Sequence, residues 1–580
     1  MNVSYLKICS IWMAFLLVWG CQPQSAKQGS AKAPESYWWP VQTIPKGIVV
    51  CEPIKVHGEN SLLHSLTGLV AQAQRQGLTD ELIWHNAGND YPLWYAKLIK
   101  RTGAEERGTF DVWELLERYA DRKIVKGYIL YEPETVPKYR EDMNFSYHAA
   151  VSYAGIKKAI IIDVGMESRV KETGLNMILD ARNITREQYF EDLKGLLSNE
   201  MVVTMNPFYH NNSDLAIANK AVITYGTDDL TERIMAWAKP VSPVVGWNHG
   251  NEDDFTQLPT KYGLFNTASD WCTNLISLSA GSETATFEKV KTLDPRTIDF
   301  EDGAHFHSFV MSDGDNMQWT IGSFMRSQDY WGSDLHGDFP VGFTSCPVNL
   351  SMMATDVLDE MGKTQPPHTT VIEYGGGYQY PDMFAVEKGA DQERIHREFA
   401  RKINLHMKRT GTKVFGFICM DVNSEDAMEA YRIYAEEMEE LTGMFAVQYA
   451  PYHGGYGEVL WVKNREGIDI PVVTARYSLW QGLRYAGGGD VTQVSEAINT
   501  GIRDRDESMD WTVVHAWSRF ENPAQPGERG RGMAPVKWCI DRLDEKIRIV
   551  SPEELLWRIR MKHNQEQTAQ AITKYSTDNF

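Results

Sequence analysis

Val371-Ile372-Glu373-Tyr374-Gly375-Gly376-Gly377-Tyr378-Gln379-Tyr380-Pro381 runs from a β-branched apolar start into an acid, three glycines, two further tyrosines and a proline. The pattern is that of a strand breaking into a loop built for a site. Consecutive glycines admit positive φ and close approach of the backbone to a neighbour or ligand, and the tyrosines offer flat faces with a polar tip, which suit a sugar. Outward from this stretch the chain repeats the theme. Strands are expected at 305–311, 340–344, 369–373, 414–420, 444–449, 471–474, 511–515 and 547–550, with helices at 391–408, 425–441 and 552–560 among them. Eight strands alternating with helices or long loops predict a (β/α)8-like barrel; a seven-stranded barrel or an open sheet would write almost the same string. Upstream, strand-like runs at 47–51, 82–84, 124–131, 159–162, 221–225 and 244–247 alternate with helical patterns such as 62–75 and 186–197. That half reads as an α/β domain over 38–296 with a mostly parallel sheet, and the barrel-like domain occupies 297–580.

In a parallel barrel the C-terminal strand ends share one face. The ends here are polar: Ser312-Asp313-Gly314-Asp315-Asn316, Glu373, Asp421-Val422-Asn423, Tyr452-His453-Gly454-Gly455-Tyr456, Arg476-Tyr477 and His515-Ala516-Trp517-Ser518-Arg519. Cleavage of a glycosidic bond needs one protonated and one ionised carboxyl group, and Asp313, Asp315, Glu373 and Asp421 are the candidates. Glu373 comes first, because aromatic cover would raise its pKa toward that of a useful acid. Its plainer role is to hold the glycine-loop amides, and that of Asp421 is to cap the helix beginning near Glu425. Strand alternation puts His305, His307, Phe309, Met311 and Asp313 on one face. The histidines could then support the acid, or Asp313, Asp315 and His307 could hold a divalent cation; no cofactor is otherwise required. Tyr378, Tyr380, Trp480 and Trp517 are stacking candidates. His453, His515 and Arg476 are polar contacts, Arg476 for an acidic sugar or an ionised carboxylate. The cluster Trp247-Asn248-His249-Gly250-Asn251-Glu252-Asp253-Asp254 reads as a solvated loop, with one wall of an interdomain cleft as the alternative.

Gly375-Gly376-Gly377-Tyr378-Gln379-Tyr380-Pro381 matches, residue for residue, the motif of the GxGYxYP family of putative glycoside hydrolases, and the chain resembles that family. The resemblance implies an α/β N-terminal domain, a C-terminal domain carrying the motif, and a carbohydrate substrate. It assigns no catalytic residue.

The chain has 580 residues, enough for two large domains, and a formal charge of −20, which excludes nucleic acid or an anionic membrane surface as main partner. No GxGxxG, Walker A, GxSxG or HExxH pattern occurs. Lys7, the apolar run 11–18 and Trp19-Gly20-Cys21 resemble a lipoprotein signal over 1–21 with Cys21 lipidated, followed by a flexible tether over 22–37. The expected location is a bacterial cell envelope, with the membrane reached through the lipid alone. Five scattered cysteines, Cys51, Cys272, Cys346, Cys419 and Cys539, indicate neither a zinc cluster nor a disulfide framework. Three functions fit. The first is a glycoside hydrolase acting on an oligo- or polysaccharide. The second is a metal-dependent carbohydrate esterase, resembling polysaccharide deacetylases in its aspartate pair but lacking their HxxxH-like histidines. The third is a glycan-binding lipoprotein without catalysis.

Overall fold

The computed structural model describes residues 35–575, except 451, 453, 484, 486 and 504. The signal segment, Cys21, most of the tether and His453 lie outside the described residues. Among those described, no helix is long and apolar enough to cross a membrane, and Cys51, Cys272, Cys346, Cys419 and Cys539 are buried free thiols.

The N-terminal half is built from three small parallel sheets, where the sequence suggests one. The first orders Glu81–His85, Gly47–Cys51 and Glu105–Phe110; the second Ala159–Ile162, Gly127–Leu130 and Met177–Asp180. The third orders Phe265–Thr267, Pro243–Gly246, Ser198–Thr204 and Ala221–Thr224. Strand propensity and strand–helix alternation are the same for one sheet or three, because neither specifies which strands pair. Helix Glu59–Arg75 packs against the strand Ala159–Ile162 and the helix Ser213–Asn219 and is buried from Ser61 to Gln74. A helix enclosed on all sides must satisfy its polar groups internally. The Gln72 amide nitrogen does so by donating to the carbonyls of Gly155 (3.0 Å) and Ile217 (2.6 Å), while its Oε1 has no hydrogen-bond partner among the described residues.

From His305 the chain forms one curled sheet. Its ladder runs Val459–Lys463, Asp469–Thr474, Gly443–Gln448, Val414–Cys419, Thr369–Tyr374, Val341–Ser345, His305–Met311, Met509–Val514, Tyr477–Leu479 and Gly488–Gly489. Every pairing on this path is parallel except that of the edge strand Val459–Lys463. Both arms of the half-barrel end on one run of chain: Asp469–Thr474 and Tyr477–Leu479 are separated only by Ala475, whose N–H bonds Ala446, and Arg476, whose N–H bonds Trp511. Of the (β/α)8-like, possibly irregular barrel expected from the sequence, the structure bears out a mixed α/β fold with a curled half-barrel of ten strands. The eighth run, Ile547–Ile549, is three residues long and pairs only with His305–His307 at the start of the first strand.

Phe306, Val310, Ile372, Phe445, Val473 and Trp511, drawn from strands all round the curl, pack together with Leu555, Leu556 and Ile559 of helix Pro552–His563. The concave side is therefore filled, and that helix stops its lower end. The alternate positions Phe309, Phe343, Phe415 and Met444 belong instead to the core shared with the outer helices. What remains open is the end of the curl where the strands terminate.

Candidate active site

The three motif glycines have φ of 68°, 72° and 131° at Gly375, Gly376 and Gly377, the left-handed region where a Cβ is strained. They are also crowded. A Cβ on Gly377 would sit 2.7 Å from the Asn266 carbonyl oxygen, and one on Gly376 would sit 3.0 Å from Ile403. The close approach made possible by these glycines is thus to protein, and the loop is a packed joint. Tyr378 exchanges both backbone hydrogen bonds with Asn266, at 2.8 and 2.9 Å, tying the motif to the strand Phe265–Thr267 of the third N-terminal sheet. Tyr380 N–H reaches the Thr260 hydroxyl (3.4 Å) and Ala385 N–H the Thr260 carbonyl (2.8 Å), which seats helix Glu252–Lys261 beside the mouth of the curled sheet.

That clamp delivers Glu252 to a cavity of about 150 Å³ where it faces Asp313 and Asp315. Glu252 is the first residue of its helix, capped by Asn251, and the helix dipole favours a carboxylate there. Burial and the nearby charges of Asp313 and Asp253 outweigh the dipole and push its carboxyl up to about 7. Asp315 is 3% exposed, and burial, with Glu252 and Asp313 adding to it, raises its carboxyl well above the usual range; the Tyr378 hydroxyl partly opposes this. Asp313 is different. It accepts from the Ser312 hydroxyl, from Trp517 Nε1 at 2.9 Å and from Ala516 N–H at 3.3 Å. Three carboxyl groups in one cavity therefore have separated environments, two poor in hydrogen-bond donors and one rich.

The segment after the first strand explains how Asp313 arrives there. Asp313 has φ 68°, and a Cβ on Gly314 would overlap the Thr344 carbonyl oxygen, so this backbone is pressed onto the neighbouring strand, with Gly314 N–H donating to Thr344 Oγ1 at 2.9 Å. The left-handed residue ends the strand alternation. The expected stack of histidines beneath Asp313 is consequently absent. His307 lies on the outer face, its Nε2 2.8 Å from Thr512 Oγ1 and its ring beside Tyr477, and burial with Arg476 nearby depresses its pKa to about 3. Asp313, Asp315 and His307 do not converge, and among the described residues no group of three or more His, Cys, Asp or Glu is placed to hold a metal ion. The cation alternative does not fit these side chains.

Aromatic rings wall the cavity. Tyr452, Trp480 and His515 stack in sequence, with centroids 4.2 and 3.7 Å apart, and His515 Nδ1 meets the Ser518 hydroxyl at 2.7 Å. Burial lowers the His515 pKa against the pull of Asp313. Trp517, 38% exposed, Trp247 and Tyr378 complete the walls, and Tyr380 lines an inner recess beside Asp315 and Glu252.

Other expected residues lie elsewhere. Glu373 is fully buried on the far face of its strand from Tyr374; its Oε2 accepts from Val348 N–H at 2.8 Å and its Oε1 has no hydrogen-bond partner, and burial raises its carboxyl to about 8 against the Val348 and Gly376 amides. It is a positioning group for the glycine loop and helix Pro347–Met353, because alternation turns it outward when Tyr374 faces in. Asp421 is exposed, receives the Asn423 N–H at 3.0 Å and is fixed through its own N–H by Asp382 at 2.9 Å, so it shapes a turn away from the cavity. Arg476 also points away, with Nε 3.2 Å from the Tyr477 hydroxyl and Nη1 3.8 Å from Asp510. The carboxylate found beside Asp313 and Asp315 in the cavity, where Glu373 and Asp421 are absent, is Glu252. Its signal was the polar run after the strand ending at Gly246, and only the long-range pairing of Tyr378 with Asn266 shows that this run faces the mouth.

Residues 303–560 match the GxGYxYP putative glycoside hydrolase C-terminal domain, 199–280 the GxGYxYP third domain and 125–194 the GxGYxYP_N second domain. A crystal structure of a putative hydrolase from Bacteroides thetaiotaomicron VPI-5482 superposes with a TM-score of 0.74 at 20% identity, covering 92% of this chain and 98% of that one. At that identity the likeness concerns the fold. No curated protein matches the chain.

Proposed function

Starting from a chain that carries the second, third and C-terminal GxGYxYP domains, we propose that it hydrolyses a glycosidic bond in an oligo- or polysaccharide at the mouth of the curled sheet. The supporting observation is the meeting of Glu252 and Asp313, in contrasting environments, inside one aromatic-walled cavity. Glu252 is half protonated near neutral pH and donates its proton to the departing glycosidic oxygen. Asp313, an acceptor held by three donors, acts at the sugar carbon or on the attacking water. Asp315 stays neutral and hydrogen-bonds the sugar ring, while Trp517 offers a stacking face and His515 a polar contact; both faces of Trp480 are taken by Tyr452 and His515, so that ring stiffens the wall instead of receiving a sugar. The test is release of new reducing ends from a panel of neutral and acidic glycans. Turnover in the wild type that disappears in Glu252→Gln and Asp313→Asn supports the reading. Binding without turnover on any glycan, in a protein that binds as well after both substitutions, would sink it in favour of a capture protein.

We also propose that the enzyme is held at a bacterial cell envelope through a lipid on Cys21, with residues 22–37 as a tether. Cys21→Ser is expected to abolish incorporation of labelled fatty acid and to move the protein from the membrane to the soluble fraction. Retention of label in that variant would overturn the anchor.

A further inference from the structure

Behind the aromatic wall lies a second, larger cavity of about 370 Å³, lined in part by Gln481, Asp490, Gln493, Arg519, Glu521 and Arg529. The two cavities share their partition. Trp480 and Trp517 face the mouth, while their near neighbours Gln481 and Arg519 face the groove. Gln481 N–H donates to the Ser518 hydroxyl at 3.0 Å, and that hydroxyl also meets His515, so the partition is a single bonded unit. The Tyr330 hydroxyl donates to the Ala516 carbonyl at 2.8 Å, which holds the strand end that carries both Trp517 and Arg519. Trp517, at the mouth, and Arg519, at the groove, are two residues apart on this partition, so a glycan lying on Trp517 is close to the groove.

The charges of the groove are unequally engaged. Its two acids keep their charge but are oriented by the backbone, Asp490 accepting from Gln493 N–H at 2.9 Å and Glu521 from Gly527 N–H at 3.1 Å, so what the groove offers an anion is guanidinium donors and not a net positive field. Among the described residues, neither Arg519 nor Arg529 has an ion pair or a hydrogen-bond acceptor for its guanidinium. Elsewhere the arginines of this acidic chain are extensively paired, for example Arg397 with Glu436 and Glu437, or Arg531 with Asp329. Two uncommitted planar forks in one concavity match the oxygens of a carboxylate or sulfate, which they can bind through paired N–H donors. A net charge of −20 disfavours a polyanion overall, so local guanidinium donors of this kind matter for whether one can dock.

We infer that this groove is a subsite for an anionic sugar, uronate or sulfated, lying along the glycan from the bond that is cleaved. The inference rests on the proposed action on a glycan and names its substrate class. It is tested by calorimetric titration of the whole protein with three oligosaccharides of equal length: an oligogalacturonate, a sulfated galactan fragment and a neutral galactan fragment, at low and high salt. The expected result is an affinity about tenfold or more higher for one anionic ligand than for the neutral one, shrinking with salt. The ligand that shows the preference separates carboxylate from sulfate. Arg519→Gln and Arg529→Gln, singly and together, should abolish the preference with the melting temperature unchanged, since both side chains are exposed. Equal affinity for charged and neutral ligands, or a preference surviving the double substitution, overturns the inference. Hydrolysis that depends on Glu252 without anion preference removes the subsite alone. An anion preference that depends on the two arginines, without hydrolysis of any glycan, leaves the subsite and removes the enzyme.

Discussion

Glu252→Gln is expected to lower kcat/KM on a natural glycan by about 10²–10⁴-fold, the range for loss of a positioned general acid. The pH dependence should identify its role. Burial and the Asp313 charge hold the Glu252 carboxyl up at about 7, and the active form is the protonated one, so kcat/KM should fall as pH rises through about 7. The substituted protein should lose that limb. Leaving-group chemistry separates the two carboxylates further. A glycoside whose leaving group is a nitrophenolate needs little protonation, so Glu252→Gln should be far less damaging there than on an oligosaccharide, whereas Asp313→Asn should impair both. Steady-state kinetics on the two substrate types across pH 5–9 measures all of this. Equal losses on both substrates, or a basic limb that persists without Glu252, would remove Glu252 from the acid role.

Why Glu252 was hard to see from sequence is physical. The strands of the C-terminal half were legible because each is a short apolar run ending in polar residues. The convergence of Asp313, Asp315, His515 and Trp517 followed from parallel strand ends sharing a face. Two kinds of information were not local. Pairing is one: three sheets and one sheet give the same alternation, and Ile547–Ile549 reads as a full strand although it meets only the start of its neighbour. Backbone sign is the other. A single left-handed residue at Asp313 ends the period-two pattern, which is why His307 lies on the outer face while Asp313 reaches the cavity. Glu252 belongs to the first kind, since it reaches the site only through the Tyr378–Asn266 pairing. The motif itself was legible as a break in a strand, but its glycines answer to the crowding of protein on protein at Asn266 and Ile403.

Glu373 offers the sharpest contrast, because it neighbours the motif and would be the natural choice for a catalytic acid. Glu373→Gln should retain full activity, and Glu373→Ala should destabilise the protein by about 3–5 kcal/mol, combining a buried amide left unsatisfied at Val348 with a side-chain cavity. The glutamine keeps an acceptor for Val348 N–H and fills the same space. Burial raises the Glu373 carboxyl to about 8, above its unfolded value, so the group contributes most to stability below about pH 4.5 and that contribution is lost as pH rises through about 8. The glutamine protein has no such titration. It should match the wild type near pH 5 and melt at a higher temperature at pH 9, with the difference opening between those limits. Thermal melts of the two proteins over that range read the difference directly. The expected result is a gap in melting temperature that grows with pH while turnover at pH 6–7 stays equal; a hundredfold loss of turnover in Glu373→Gln would instead return Glu373 to the chemistry. If the gap appears, the two glutamates have divided the work by position. Glu373, turned outward by strand alternation, holds the clamp together, and Glu252, brought in by that clamp, has the raised pKa at a surface where a substrate can use it.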